Sequence, residues 1–153
     1  MDRGPLKLRA EDAEDLAVMA AVLQDARAPL KEMVFDPEAR RFLVALRRYR
    51  RECLPDPCAA CDGLTETSCV LGFLDIEAVR HRGLDLGQPD KELSLLTIAT
   101  EPGASCLVHI RLVFAGGAEI RLESDRIRAW LEDFGEPRPA PTPPAHPVLE
   151  EDS

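Results

Sequence analysis

The sequence predicts an α+β domain: a mostly antiparallel, strongly curved sheet or barrel of about seven strands, with one N-terminal and one C-terminal helix. Three observations lead to this prediction. Apolar and polar residues alternate over several short segments, which is the period of a half-buried strand. Most connections between these segments have hairpin length, which favours antiparallel pairing. Two segments instead repeat their apolar residues at helical intervals.

The first third of the chain predicts a strand, a helix and a hairpin. Residues 6–10 alternate and predict the strand, and the acidic run at 11–15 suits a helix N-terminus because carboxylates interact favourably with the helix dipole. Residues 33–35 and 42–46 predict two further strands joined by a proline-containing turn. The apolar stripe of the predicted helix consists of Leu16, Met19, Ala20 and Leu23.

The middle of the chain alternates between loops and strands. Residues 52–68 contain two prolines, a glycine and a polar end, and they predict a loop. Residues 70–79 predict a strand, and residues 83–90 predict a second loop. Residues 93–99 are almost all apolar, which is typical of a central strand buried on both faces.

The last third predicts a hairpin followed by a helix. Residues 108–114 and 119–123 alternate, and Gly116 and Gly117 between them can adopt the positive φ angles of a tight turn. Ser124 is a suitable N-cap for the helix, which a glycine and a proline would end. The apolar stripe of this helix would consist of Ile127, Trp130, Leu131 and Phe134.

Meandering strands followed by a C-terminal helix are the order of a pleckstrin-homology-like barrel, although the helix after the first strand departs from that pattern. The hydrophobic periodicity predicts a single domain over residues 5–136. Residues 137–153 are rich in proline and acidic side chains and predict a disordered tail.

Composition limits the possible partners. The 153-residue chain has a formal net charge of −9, which argues against a nucleic-acid role because phosphate binding needs positive charge. No apolar run reaches the roughly 18 residues of a membrane span. The N-terminus lacks the apolar core of a signal peptide, so we expect a cytoplasmic protein.

Several short motifs follow one another in a characteristic order. They are Leu23-Gln24-Asp25-Ala26, Arg41-Phe42, Arg48-Tyr49, Arg82-Gly83, Leu93-Ser94-Leu95-Leu96, Phe114-Ala115-Gly116-Gly117 and Ile120-Arg121-Leu122. As a set they resemble a small family of alphaproteobacterial proteins that carries only a domain-of-unknown-function label. The resemblance covers roughly residues 5–136. It implies a cytoplasmic, single-domain bacterial protein, and it implies no activity, cofactor or catalytic residue.

Four cysteines form the candidate metal site. Cys58 and Cys61 have the close spacing of a zinc-ligand pair, and Cys53 and Cys69 flank them more loosely. Four thiolates could hold a structural zinc ion. The alternative is a variable surface loop whose cysteines have no metal role.

Arginines form the candidate binding site. Arg47, Arg48 and Arg50 end one predicted strand, and Arg82 ends another. If these ends are neighbours, their guanidinium groups could bind phosphate or carboxylate, and Tyr49 could add a stacking face. The alternative is a solvated strand edge that charge protects against aggregation.

No motif indicates an enzyme. The chain lacks a nucleophile elbow, a phosphate-binding glycine loop and a metalloprotease helix. Asp75 and Glu77, two residues apart on one face of a predicted strand, could serve as an acid–base pair, but the outward face of a strand is the plainer explanation. We therefore expect a binding module for another protein, acting through the arginines. A zinc-binding structural protein and a small enzyme without a recognisable motif are the alternatives, and no pattern indicates an oligomeric state.

Overall fold

The computed structural model describes residues 5–50 and 65–139 of the chain. Within these residues it contains ten strands and one α-helix, together with short 3-10 turns. In chain order they are β1 (Lys7–Ala10), α1 (Ala13–Val22), β2 (Arg27–Pro29), β3 (Met33–Asp36), β4 (Arg41–Tyr49), β5 (Thr65–Phe73), β6 (Ile76–Arg82), β7 (Glu92–Pro102), β8 (Val108–Phe114), β9 (Glu119–Ser124) and β10 (Ala129–Pro139).

All the strands join one antiparallel sheet in the order β1-β10-β5-β4-β2-β7-β8-β9-β6, and β3 pairs with β4 beside this path. The prediction of a mostly antiparallel sheet is therefore confirmed. The predicted α+β class is wrong, because the described residues form ten strands and one α-helix and the fold is mostly β. The prediction of about seven strands is wrong, and so is the barrel, because the sheet ends at β1 and β6 and is not closed.

Short strand β2 joins the two halves of the sheet. Arg27 lies opposite Arg47 of β4 on one side and opposite Ser94 of β7 on the other. The buried side chains of both halves belong to a single hydrophobic cluster. Helix α1 packs against β7 and β1, and its N-cap is Asp12, whose carboxylate accepts a 2.8 Å hydrogen bond from the Asp15 amide. The N-terminal helix is thus found where the sequence predicts it.

The predicted C-terminal helix is wrong: the segment forms strand β10. Alternate side chains of β10 are buried, including Leu131 and Asp133, whereas Phe134 is exposed. The strand pairs with β1 on one side and β5 on the other. Ser124 ends β9, and its hydroxyl accepts from the Arg126 amide and does not cap a helix. The apolar residues of this segment fit both the helical period and the strand period. Backbone pairing with two strands from distant parts of the sequence favours the strand over the helix.

The remaining extra strands lie where the sequence pattern is weak. β2 has only three residues, and β5 begins at Thr65 within the predicted loop. The single strand predicted for residues 70–79 is two strands, because the chain bends at Asp75, which has a positive φ of 61°. The bend separates β5 from β6 and sends them to different places in the sheet.

At the C-terminus, β10 continues to Pro139, past the predicted domain boundary at residue 136. Residues 140–153 of the predicted tail lie outside the described residues. Among the residues that the structure describes, no helix is both long and apolar enough to cross a bilayer.

Candidate functional site

Three arginines lie directly opposite one another on neighbouring strands. Arg80 of β6 is opposite Arg121 of β9, and Arg121 is opposite Arg111 of β8. Directly opposed side chains in an antiparallel sheet have Cβ atoms roughly 4.5–5.5 Å apart, and like charges in this position repel each other. Arg82 extends the positive surface two residues further along β6. We call these four residues the arginine face.

The strand period explains why these side chains share one face. Ile110, Leu112 and Leu122 are buried in the core, so the residues between them lie on the opposite side of the sheet. There the arginines border a cavity of about 400 Å³. Its lining residues are Arg80, His81, Arg82, Glu101, Arg111, Glu119 and Arg121.

Two glutamates lie among the arginines and partly neutralise them. Glu119 accepts hydrogen bonds from Arg111 Nε at 3.0 Å, from Arg111 Nη2 at 2.9 Å and from Arg82 Nη2 at 3.2 Å. Glu123 accepts from Arg80 Nε at 2.9 Å. Both glutamate side chains are 14% exposed, whereas those of Arg80 and Arg82 are 63% and 76% exposed. The surface that a ligand would meet is therefore mainly guanidinium.

These ion pairs shift the ionisation of the glutamates. The hydrogen bonds from Arg111, with a smaller contribution from Arg82, lower the pKa of the Glu119 carboxyl to about 2. The hydrogen bond from Arg80 likewise lowers the pKa of Glu123 below its usual value. Both glutamates are therefore ionised at neutral pH, and neither is suited to act as a general base or acid there.

The cluster keeps a positive excess. Glu101 is a third glutamate of the cluster, since its Oε1 lies 3.7 Å from Arg111 Nη1. The cluster thus contains four arginines and three glutamates. With neutral histidines, one positive charge remains uncompensated on a chain whose net charge is −9. In the described part of the chain, Arg121 Nε is buried and has no hydrogen-bond partner. Such a surface can accept at least one further carboxylate or phosphate.

Comparison with known families assigns the chain. A family model described as "Protein of unknown function (DUF2948)" matches residues 6–146. The chain belongs to the DUF2948 family. Membership confirms the predicted resemblance to a family known only as a domain of unknown function, and the match extends beyond the residues that carry the quoted motifs. Neither the search of curated proteins nor the search of solved structures gives a match.

The structure does not bring the four predicted binding arginines together. Arg82 lies on β6, and strands β2, β7, β8 and β9 separate β6 from β4 in the sheet. Arg47, Arg48 and Arg50 remain close to one another at the end of β4. Within the arginine face, only Arg82 comes from the predicted set.

Arg48 is a core residue. Its side chain is fully buried, and it donates from Nε to Asp133 Oδ1 at 2.9 Å and from Nη2 to Asp133 Oδ2 at 2.8 Å. The same Asp133 oxygen, Oδ2, accepts a 2.9 Å hydrogen bond from the amide of Leu6. Arg48 thus links β4 to β10 and, through Asp133, to the segment before β1.

The other two predicted binding arginines of this segment, Arg47 on β4 and Arg50 just after it, are also held within the fold. Arg47 pairs with Glu92 and lies 4.0 Å from a carboxylate oxygen of Glu66. Arg50 is mostly buried. The guanidinium of Arg27 lies over the Tyr49 ring, 5.2 Å from its centre. Arg27 thus covers a ring face that the sequence suggested for stacking.

The predicted zinc site is only partly described. Cys53, Cys58 and Cys61 lie outside the described residues. Cys69 is fully buried in the core, where burial and the nearby Asp133 raise the pKa of its thiol to about 12. Zinc binds the thiolate, so coordination by Cys69 would require this buried thiol to lose its proton. Zinc binding at these four cysteines remains a prediction.

Asp75 and Glu77 do not form the acid–base pair that the sequence suggests. Asp75 lies at the bend before β6 and accepts a 2.9 Å hydrogen bond from Arg128 Nη1. Glu77 lies on β6 and accepts a 2.8 Å hydrogen bond from Arg40 Nη2. Each carboxylate is thus held by a different arginine.

Arg111 and Arg121 are not among the site residues predicted from the sequence, although a local signal for them was present. In the hairpin formed by β8 and β9, Phe114 donates to Ala118, so the turn is centred on Gly116. A hairpin centred there places Arg111 opposite Arg121 by counting outward from the turn. Arg80 has no such local signal, because β6 reaches β9 from a distant part of the chain.

Proposed function

We propose that this protein is a binding domain that takes an acidic segment of another protein on its arginine face. The observation that carries the proposal is the row of Arg80, Arg121 and Arg111 on three adjacent strands. Opposed like charges destabilise a sheet. A surface that retains such a row is best explained by a ligand whose negative charge compensates it.

The chemistry of the face favours carboxylates. Guanidinium groups bind carboxylate in a planar, two-pronged geometry, and each carries five N–H donors. In the contacts described above, Arg80 uses its Nε and Arg82 uses one terminal nitrogen. The remaining N–H groups of these two arginines belong to highly exposed side chains and can donate to a second acceptor.

Charge favours a protein segment over a nucleic acid. The chain carries a net charge of −9, and Glu119 and Glu123 lie within the arginine face itself. A long polyphosphate backbone would meet these negative charges along its length. A short acidic segment can place its carboxylates on the arginines alone. The proposal takes this binding to occur in the cytoplasm.

A binding titration tests the proposal. We expect a fluorescently labelled polyglutamate peptide to bind the full chain, with an affinity that falls as salt is raised from about 50 to about 500 mM, because salt screens exposed charge pairs. Replacing Arg80 and Arg121 with glutamine should weaken binding at least about tenfold, since a hydrogen bond to a charged group contributes roughly 1.5–3 kcal/mol.

The matched control replaces Arg126 and Arg128 with glutamine. These arginines are 61% and 49% exposed, each pairs with an aspartate, and their loss changes the net charge by the same amount. The control should bind almost as well as the parent chain. Absence of binding to the parent chain at millimolar peptide, or an equal loss in the control, would contradict the proposal.

A further inference from the structure

Strand β6 has an open edge beside the arginine face. It is the last strand of the sheet order, and among the described residues it pairs only with β9. At its start, the Ile76 amide donates to the Arg40 carbonyl at 2.9 Å. In the part of the chain that the structure describes, the outer edge of residues 78–82 has no backbone partner.

An open edge of this kind is a template for another strand. Alternate residues of an edge strand direct their N–H and C=O groups outward, and these groups can pair with any extended chain of compatible sequence. Proteins commonly protect such edges with charge. The exposed residues at the end of β6 are Arg80, His81 and Arg82, so positive charge protects this edge.

Positive charge at this edge favours an acidic strand over a neutral or basic one. A neutral or basic strand that docked on β6 would bury or oppose Arg80 and Arg82 without compensating their charge. A strand with carboxylates at the matching positions would neutralise both arginines. The two arginines are two residues apart and so share one face of β6, next to Arg121.

We propose that the acidic segment binds as an added strand on the edge of β6, with carboxylates at alternate residues opposite Arg80 and Arg82. This proposal rests on the proposed function and specifies the conformation and pattern of the ligand. Directly opposed residues would have Cβ atoms roughly 4.5–5.5 Å apart, within reach of an arginine–carboxylate pair. Backbone hydrogen bonds would supply affinity, and the alternating carboxylates would supply specificity.

The test compares peptides that differ in pattern and in backbone hydrogen bonding. The first alternates glutamate and valine. The second has the same composition in separate blocks. The third repeats the alternating sequence with N-methylated valines, which cannot donate their backbone N–H. We expect the alternating peptide to bind the full chain at least about tenfold more tightly than the other two, and to slow amide hydrogen exchange at residues 78–82.

Each outcome distinguishes the two proposals. Equal binding of all three peptides, reduced in the Arg80→Gln, Arg121→Gln double variant, would overturn the added strand and leave the arginine-face function standing. Equal binding that the double variant leaves unchanged would contradict both proposals, as would failure of every acidic peptide to bind. Tight binding of the alternating peptide with protection confined to residues outside β6 would also overturn the added strand.

Discussion

Replacing Asp133 with alanine should destabilise the protein by about 3–5 kcal/mol. The substitution removes the carboxylate that accepts hydrogen bonds from Arg48 at 2.9 and 2.8 Å and from the Leu6 amide at 2.9 Å. Arg48 has no exposed surface, and the side chain of Asp133 is 4% exposed. The substitution therefore removes from a buried guanidinium the carboxylate that accepts two of its hydrogen bonds.

The magnitude follows from the cost of removing one partner of a buried ion pair, not from the strength of the pair itself. Breaking a buried ion pair by removing one partner costs several kcal/mol, whereas replacing both partners with apolar residues of similar volume is often nearly neutral. We therefore expect the double variant Arg48→Met, Asp133→Leu to be more stable than Asp133→Ala alone.

Urea unfolding followed by tryptophan fluorescence measures these differences. Trp130 is the one tryptophan of the chain, and its ring lies against Gly72 within the sheet. The matched control is Glu132→Ala, on the same strand. Glu132 is 49% exposed and pairs with Lys7 at 3.6 Å, so its loss should cost at most about 1 kcal/mol.

Two results would refute this reasoning. A loss below about 1 kcal/mol in Asp133→Ala would mean that water or rearrangement compensates Arg48, so that the site is not a dry ion pair. A double variant less stable than Asp133→Ala would mean that the pair contributes specific stability that apolar packing cannot replace.

Three further predictions test other parts of the structure. Gly72→Ala should cost about 1–3 kcal/mol, because the new Cβ would overlap the Trp130 ring, and adding Trp130→Leu should relieve the loss in urea unfolding followed by circular dichroism. The pKa of Glu119, about 2, lies below its unfolded value, so its contribution to stability is present above that unfolded value and is lost as pH falls toward 2. Carboxyl NMR titration should show this pKa rising toward its ordinary value in Arg111→Gln. If the predicted cysteine site holds zinc with Cys69 as a ligand, elemental analysis of protein purified without added metal should find about one ion per chain, and less in Cys69→Ser. An unchanged zinc content in that variant would exclude Cys69 from the site.

Local sequence signals predicted the elements that local interactions hold together. Asp12 caps α1, and the apolar stripe of that helix is buried as its spacing predicts. Gly116 and Gly117 adopt the positive φ angles of 85° and 88° that their position between two alternating segments predicts. A cap or a tight turn depends on neighbouring residues, so the chain itself carries the information.

The segment after Ser124 shows where local reasoning fails. Trp130, Leu131 and Phe134 satisfy a helical stripe, and the same segment also satisfies strand alternation. The choice depends on whether β1 and β5 are present to pair with its backbone, and both come from distant parts of the sequence. Pairing on both sides satisfies the backbone hydrogen bonds as a helix would, and it also allows Asp133 to meet Arg48 in the core.

The candidate site divides in the same way. The pairing of Arg111 with Arg121 is local, because the turn at Gly116 sets the register of its own hairpin, although the sequence prediction did not identify this pair. The sequence by itself determined a surplus of arginine near the ends of two strands. Only the tertiary structure decided that Arg80 completes the row and that Arg48 is buried. Register across a hairpin follows from a few covalently adjacent residues, whereas the order of strands in a sheet depends on which distant apolar faces share one core.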